Sequence, residues 1–202
     1  MKKVCLLSLC VIALMFVSCS DDDDGGSGNP SSASGEMIID GESIQLKSGT
    51  IIEYGEWDSS YNFDVELFSS KLNSDNMASG FEDDLVSGLY FELFTDNAND
   101  LGVGVYQYTD SFSSNSGTFS SADVEVNCTV STFDCEMEAI INDGTFEVIS
   151  NGNSYEFVFD VTLSSGESLT GNFSGALYKF DESDFGGRPS NLSETQKFRF
   201  LK

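Results

Sequence analysis

Carboxylates are the main chemistry-bearing groups of this chain, which has 34 acidic residues, 9 lysines and arginines and no histidine among its 202 residues. The lack of histidine excludes Ser-His-Asp and Cys-His nucleophile systems and histidine-ligated zinc. Paired carboxylates can hydrolyse glycosides, but in so acidic a chain some pairs lie close by chance, and none stands in a distinctive sequence context. We therefore expect no catalytic residues, no metal site, no cofactor and no enzymatic activity.

Three acidic clusters carry the oxygen ligands that calcium prefers, namely Glu82-Asp83-Asp84, Asp96 with Asp100, and Asp181-Glu182-Asp184. None has the spacing of a calcium-binding loop, so solvated loops are the preferred interpretation. The formal net charge of −25 disfavours nucleic acid as a partner, because few cations are present to neutralise phosphates. Solubility and self-repulsion are the simpler consequences of this charge.

The amino-terminal segment has the composition of an export signal. Lys2 and Lys3 precede an unbroken run of apolar and small residues over 4–17, which is shorter than the roughly 20 residues of a spanning helix. Ser18, a small residue, then stands directly before Cys19. This arrangement predicts cleavage at the end of the apolar run.

The segment resembles a bacterial lipoprotein signal, in which the cysteine becomes the acylated first residue of the mature protein. The five residues after Cys19 are similar to the export tag of surface lipoproteins in the Bacteroides group, where an acidic run accompanies display on the outer face of the outer membrane. The tag residues are Ser20, Asp21, Asp22, Asp23 and Asp24. The resemblance implies a palmitate-type anchor at Cys19, outer-membrane lipid as a partner and a location facing the cell exterior, but no activity.

The chain is expected to have three parts. They are a signal peptide over 1–18, a lipidated tag and tether over 19–35, and one folded domain over 36–202. Glycine and serine dominate 25–35, a composition typical of a flexible tether. The domain is long enough for one core, and its 17 phenylalanines and 7 tyrosines argue against disorder.

Apolar residues recur at every second position from Met37 onward, and no stretch has a helical period. Turn pairs at Asp40-Gly41 and Ser48-Gly49 separate the first strands, and 61–67 has the alternation of a half-buried strand. We predict an all-β, antiparallel meander of ten to twelve strands with very little helix. A lipocalin-like or calycin-like barrel is favoured, with a β-sandwich as second choice. A last strand is expected around Phe198 and Phe200.

Turn chemistry predicts the strand register between residues 122 and 175. Asp143-Gly144 and Asn151-Gly152 are interpreted as two-residue hairpin turns, and Ser164-Ser165-Gly166 as a three-residue loop, which gives five consecutive antiparallel strands. The pairs expected are Ile141 with Phe146, Val148 with Tyr155, Phe159 with Gly171, Phe157 with Phe173 and Tyr155 with Gly175. Aromatic rings lying over cross-strand glycines are a device of strongly curved sheets.

Cys128 and Cys135 share one face of neighbouring predicted strands. A loop centred between Ser131 and Thr132 sets them directly opposite each other. In an exported protein this placement favours a disulfide, and two buried thiols are the alternative.

Aromatic residues also occur on the strand faces opposite the core stripes. They form further core if two sheets pack, and face outward if the sheet closes as a barrel. For the outward case our choice of binding patch is Tyr54, Trp57, Tyr106 and Tyr108.

Three functions stay open from sequence alone. The first is a surface-displayed binding or adhesion module for a glycan or protein ligand. The second is a barrel that carries a small apolar ligand in an interior cavity. The third is a small hydrolase with two convergent carboxylates in a cleft.

Overall fold

All eleven strands of the described chain belong to a single, strongly curled sheet that forms a half-barrel. The computed structural model describes residues 33–73, 80–110 and 114–183. The predicted all-β, barrel-like class is confirmed, as is the predicted number of strands. The strands are β1 (Ser34–Ile39), β2 (Glu42–Leu46), β3 (Ser48–Trp57), β4 (Ser60–Phe68), β5 (Leu85–Thr95), β6 (Gly104–Tyr108), β7 (Thr118–Thr129), β8 (Met137–Ser150), β9 (Tyr155–Leu163), β10 (Ser168–Gly175) and β11 (Tyr178–Asp181).

The order across the sheet is β11-β3-β4-β5-β7-β6-β8-β9-β10-β1-β2. Neighbours are antiparallel except for two pairs, β11 with β3 and β6 with β7, which run parallel. β6 is a short wedge, because β7 pairs with it at one end and directly with β8 farther along. The parallel β11–β3 pairing was not predicted from the sequence, and it positions one wall of the candidate site.

The first turn is as predicted, and the second is not. Ile39 pairs with Glu42 across Asp40-Gly41, whose φ values of 50° and 82° are the left-handed pair that this tight turn requires. Ser48-Gly49 is the start of β3 rather than a turn. A side chain at Gly49 would come within 2.6 Å of the Glu66 carbonyl oxygen and 2.9 Å of Leu67, so glycine there permits close packing.

The hairpin of β9 and β10 has the predicted register. Phe159 pairs with Gly171, Phe157 with Phe173 and Tyr155 with Gly175. Gly166 has a φ of 93° in the connecting loop, the left-handed position expected of it. Turn chemistry and apolar alternation agree here, and together they determine the pairing.

The two predicted turns before this hairpin are wrong in different ways. Asp143-Gly144 lies inside β8, at a bulge where Gly144 comes so close to the backbone of Val161 that a Cβ would be 2.5 Å from its Cα. The region therefore has four consecutive strands, β7 to β10, rather than five. Asn151-Gly152 belongs to a four-residue connection, so Val148 pairs with Phe157 instead of Tyr155. That shift of two residues leaves the same side chains inside.

Aromatic rings fill the inside of the half-barrel. Phe91 and Phe146 have ring centroids 4.6 Å apart, and Phe146 and Phe157 are separated by 5.0 Å. Phe146 on β8 and Phe157 and Phe159 on β9 are all at most 1% exposed. Pairing of these two strands therefore brings the three rings together in the core. The interior is a packed core around which the sheet curls. The predicted strand at Phe198 and Phe200 lies outside the described residues.

Gly171→Ala tests the constraint at the centre of this curl. A Cβ at position 171 would lie 2.4 Å from Phe159 Cζ and 2.3 Å from the backbone oxygen of Glu36. We expect the free energy of unfolding to fall by about 1–3 kcal/mol, the usual cost of overpacking. Urea unfolding measures this, with exposed Asn172→Ala on the same strand as control. Equal stability of the two variants would contradict the packing described.

Candidate functional site

A cleft of about 220 Å³ opens at one rim of the half-barrel. Three buried residues, Ile51, Phe63 and Tyr155, give it an apolar floor. Its polar wall comes from β3, β11 and the connection between β5 and β6. The residues of this wall are Glu53, Asn99, Asp100, Lys179 and Asp181, with Phe180 beside them.

The parallel pairing of β11 with β3 positions three residues of the cleft wall, Glu53, Lys179 and Asp181. Lys179 lies opposite Ile51 and Asp181 opposite Glu53, so alternate residues of the short strand face the cleft. Ile51 belongs to the core cluster, which identifies this as the inner face of the sheet. Two carboxylates, Glu53 and Asp181, are therefore set side by side at the strand ends.

Local hydrogen bonds hold the connection that carries Asn99 and Asp100. The backbone amide of Asn97 donates to Thr95 Oγ1 at 3.2 Å, and that of Asn99 donates to Asn97 Oδ1 at 3.0 Å. From the far side of the rim, Asn151 Nδ2 donates to the Leu101 carbonyl at 2.7 Å. These hydrogen bonds therefore hold the loop in one conformation as part of the cleft wall.

Asp100 is the centre of a small polar network. Tyr155 Oη donates to Asp100 Oδ1 at 2.5 Å, and Lys179 Nζ lies 3.4 Å from Asp100 Oδ2. Lys179 Nζ also lies 5.0 Å from the centre of the Tyr155 ring, within cation–π range. Asp100 therefore contacts Tyr155 of the cleft floor and Lys179 of the cleft wall, and it connects the two.

Electrostatics distinguish the two facing carboxylates of the wall. Partial burial, together with the charges of Asp181 and Asp100, raises the pKa of Glu53, and Lys179 opposes this in part. Hydrogen bonds from the Ser183 hydroxyl and amide lower the pKa of Asp181. Burial, followed by the bond to Asp100, raises the pKa of Tyr155, so its hydroxyl stays a donor. Of these two carboxylates, Glu53 therefore accepts a proton more readily than Asp181.

This arrangement suits recognition of a polar, uncharged ligand. Glu53 and Asp181 supply acceptors, Asn99 supplies both a donor and an acceptor, and Lys179 supplies a donor. An apolar floor under such a rim is the usual composition of a small-molecule site. No site was predicted here from the sequence, although Asp100 and Asp181 belong to two of the acidic clusters considered for calcium.

A second concavity, of about 620 Å³, is broader and much more open to solvent. It lies between β2 and the connection after β4, and it contains the ion pair of Lys47 with Asp83 at 3.3 Å. Bonds from Ser70 and Lys47 lower the pKa of Asp83. Leu85, on its edge, is 56% exposed. Its openness makes it a poorer ligand site than the rim cleft.

The residues chosen for a binding patch do not form an exposed patch. Tyr106 is 3% exposed and Tyr108 is half-buried, and both pack inside the half-barrel. Tyr54 is 2% exposed and belongs to neither core cluster, and Trp57 is half-buried near the end of β3.

The facing of β6 is opposite to the one predicted. The physical reason is the pairing of β6 with β8, in which Tyr106 lies opposite Phe146 and therefore shares the inner face of that core ring. The strand turns its tyrosines inward and leaves Val103 and Val105 62% and 51% exposed.

Cys128 and Cys135 are joined by a disulfide, with Cα atoms 3.9 Å apart. Val126 pairs with Met137, which is the register that a loop centred between Ser131 and Thr132 predicts. Glu125 Oε2 lies 3.7 Å from one sulfur and 4.0 Å from the other. These three residues have the spacing of a metal site, but bonded sulfurs offer no thiolate to a metal. The lipidation and tag residues, Cys19 to Asp24, lie outside the described residues.

No family model matches the chain, and no match was found among curated proteins or solved structures. In the described part of the chain, no helix has the length and apolarity needed to cross a membrane.

Glu53→Gln tests the electrostatics of the cleft. Since the folded-state pKa is raised, the folded protein keeps this proton to higher pH than the unfolded chain does, and stability is lost as pH rises through the folded pKa. The neutral variant should therefore be more stable than the wild type at neutral pH, by less than about 1 kcal/mol because water screens the group. The two should converge below the ordinary pKa of 4.5.

Urea titrations across this pH range measure the difference. The matched control is Glu147→Gln, which changes an exposed carboxylate on β8. This variant should not gain stability over the wild type at neutral pH. A wild type that is more stable than Glu53→Gln at neutral pH would contradict the assignment.

Proposed function

We propose that the chain is a non-enzymatic binding module, anchored by lipid at Cys19 to the outer membrane and facing the cell exterior, with the rim cleft as its glycan-binding site. The observation that carries the ligand proposal is the cleft itself. It joins carboxylate, amide and ammonium groups on strand ends and a hydrogen-bonded loop to an apolar floor. Recognition of sugar hydroxyls requires hydrogen-bonding groups of this kind in fixed positions.

The anchor rests on the residues around Cys19. Each buried methylene contributes about 0.8 kcal/mol, and stable attachment needs more than one acyl chain, which a triacylated cysteine supplies. The aspartates at 21–24 are repelled by an anionic lipid surface, so they favour a domain that stands away from it. The expected tether 25–35 is shortened by the fold, because β1 already begins at Ser34. The glycine-rich and serine-rich residues 25–32 remain as a flexible connection between the anchor and the domain.

Cys19→Ala tests the anchor. Without the acylated sulfur, the protein should move from the membrane pellet to the soluble fraction, as cell fractionation with immunodetection measures. Cys10→Ala, within the apolar run of the signal, is the matched control and should stay with the membrane. Continued sedimentation of the Cys19 variant with the envelope would overturn the proposal, as would an unmodified mature terminus in the intact mass.

A neutral glycan is favoured over other ligands by charge and size. The chain's net charge of −25 repels anionic ligands, and the cleft volume suits a single sugar unit at a time. Binding of a longer chain then depends on surfaces beside the cleft.

An apolar cargo inside the barrel has less support. The interior is occupied by closely packed phenylalanines, and Phe157 and Phe173 stack with centroids 6.0 Å apart. A carrier needs an open cavity instead.

Binding to a glycan array, followed by titration of the best ligand, tests the cleft. Glu53→Gln and Asn99→Ala should each weaken binding about ten-fold, the value of one hydrogen bond of about 1.4 kcal/mol. Glu147→Gln and Asn153→Ala make the same chemical changes at exposed positions away from the cleft and should leave affinity unchanged. Equal effects in both pairs, or binding that neither cleft variant weakens, would place the ligand elsewhere.

A carboxylate-dependent hydrolase is the second candidate, and Glu53 is the observation that favours it. A carboxyl with raised pKa beside a second carboxylate is the pairing that glycoside hydrolysis uses. Chromogenic glycosides distinguish the two functions. Turnover abolished by Glu53→Gln supports hydrolysis, whereas binding without turnover supports a binding module.

A further inference from the structure

A β-bulge in β7 brings a carboxylate and a cysteine to the same side of the sheet. On β5, Gly88 and Val86 lie two positions apart and share a face. Their partners on β7, Glu125 and Cys128, lie three positions apart, so β7 has one extra residue here. Asn127, between them, has a left-handed φ of 51°. An unbroken strand would turn Glu125 and Cys128 to opposite faces, and the bulge turns them to one.

The carboxylate lies close to both sulfurs of the disulfide. Glu125 Oε2 is 3.7 Å from Cys128 Sγ and 4.0 Å from Cys135 Sγ. A tetrahedral zinc ion, with bonds of about 2.3 Å to sulfur and about 2.1 Å to oxygen, holds each sulfur about 3.6 Å from the oxygen. The oxygen is therefore near the position that zinc requires, and the bond between the sulfurs is what keeps an ion out.

The three ligand residues are buried on one side and accessible on the other. Cys128 is 1% exposed and Glu125 is 6% exposed. Cys135 is half-buried, and the connecting residues 131–134 are exposed. A reductant and then a metal ion can therefore approach from the side of Cys135, as thiol–disulfide exchange requires.

Backbone hydrogen bonds hold the two cysteines together independently of the disulfide. The Thr129 amide donates to the Asp134 carbonyl at 2.9 Å, and the Glu136 amide donates to the Val126 carbonyl at 3.0 Å. These bonds lie on either side of the cysteine pair. Once reduced, the two thiols would therefore stay within reach of one metal ion.

We propose that the reduced form of this hairpin binds a thiophilic divalent cation of the zinc type through Cys128, Cys135 and Glu125. A dithiol is the reductant. Its first thiolate attacks Cys135 Sγ and releases Cys128 as a thiolate, and its second thiolate then displaces Cys135, so that the reductant leaves as a disulfide. The ion replaces the two thiol protons, which pass to water, and a water molecule takes the fourth position.

The ligand set selects the ion and limits binding to the reduced state. Thiolates are soft ligands that favour zinc over calcium or magnesium. With the disulfide closed, the same three residues offer only one carboxylate, as the bonded sulfurs carry no charge. None of the three lines the rim cleft, so this site is independent of the proposed glycan binding.

Zinc uptake before and after reduction tests the proposal. The full chain is treated with dithiothreitol, the reductant is removed under argon, and zinc chloride alone is added. Elemental mass spectrometry after gel filtration then counts the bound zinc. The reduced chain should retain about one zinc ion more than the same chain with its disulfide closed. Cobalt(II) in place of zinc should give thiolate-to-cobalt charge-transfer absorption in the reduced chain only.

A cysteine variant separates this site from the rest of the chain. Cys128→Ser/Cys135→Ser leaves the other three of the five cysteines in place. It should lose the additional zinc ion and the cobalt absorption, since serine supplies no thiolate.

A second variant tests the carboxylate. Glu125→Gln should weaken zinc binding at least about ten-fold, the loss that even outer-shell changes cause. Glu147→Gln makes the same change at an exposed position of β8 and should leave zinc affinity unchanged. Circular dichroism checks that each variant is folded, and if Glu125→Gln is not, the cysteine variant decides.

Three outcomes would overturn the proposal. The first is equal zinc uptake by the oxidised and the reduced chain. The second is reduction-dependent uptake that the cysteine variant retains. The third is a folded Glu125→Gln variant that binds zinc as tightly as the wild type, because the carboxylate would then have no part in the site.

Discussion

Close contact between aromatic rings and cross-strand backbone is the constraint on which the rest of this structure depends. Phe159 lies against Gly171, and a side chain at Gly144 would collide with the backbone of Val161. A sheet curls tightly around large rings only where glycine removes the Cβ that would hold the strands apart. The core is therefore filled and the sheet strongly curved for one and the same reason.

This curvature produces the cleft. Because the sheet curls, the start of β9 comes close to the β5–β6 connection, and the Tyr155 hydroxyl reaches Asp100, 55 residues away in sequence. β11 then adds Lys179 from the other side. The site is thus a consequence of packing at the rim, and its polar groups are positioned by a buried ring.

Sequence could predict those features that depend on local turn chemistry and alternation. The β9–β10 register is determined by Gly166 and by five alternating apolar residues, and the tight turn by Asp40-Gly41. The prediction for Asn151-Gly152 is wrong because two-residue and four-residue connections place the same side chains inside. The alternation of apolar and polar residues therefore cannot distinguish a two-residue connection from a four-residue one.

The cleft and the burial of both faces of β4 depend on contacts that have no local signal. β11 is four residues long and pairs with β3 in parallel, which places Asp181 beside Glu53. A parallel pair has no hairpin turn between its strands, so the sequence carries no turn signal that predicts it. In β4 the alternation of Asp64 and Glu66 with apolar residues has the pattern of a strand with one solvated face, yet both faces are buried. Binary pattern reports polarity, whereas burial depends on what packs against each face.

The scarcity of cations connects these observations. With 34 carboxylates and 9 basic residues, most acidic groups in the chain must remain in water. Lys179 is engaged with Asp100, where a cation above a tyrosine ring also closes the cleft wall. The Lys179 side chain is 52% exposed, so water screens its ion pair with Asp100 and the pair contributes modestly to stability. Because an ammonium group has three donors, Lys179 can contact Asp100 and a ligand together, beside Glu53, Asn99 and Asp181.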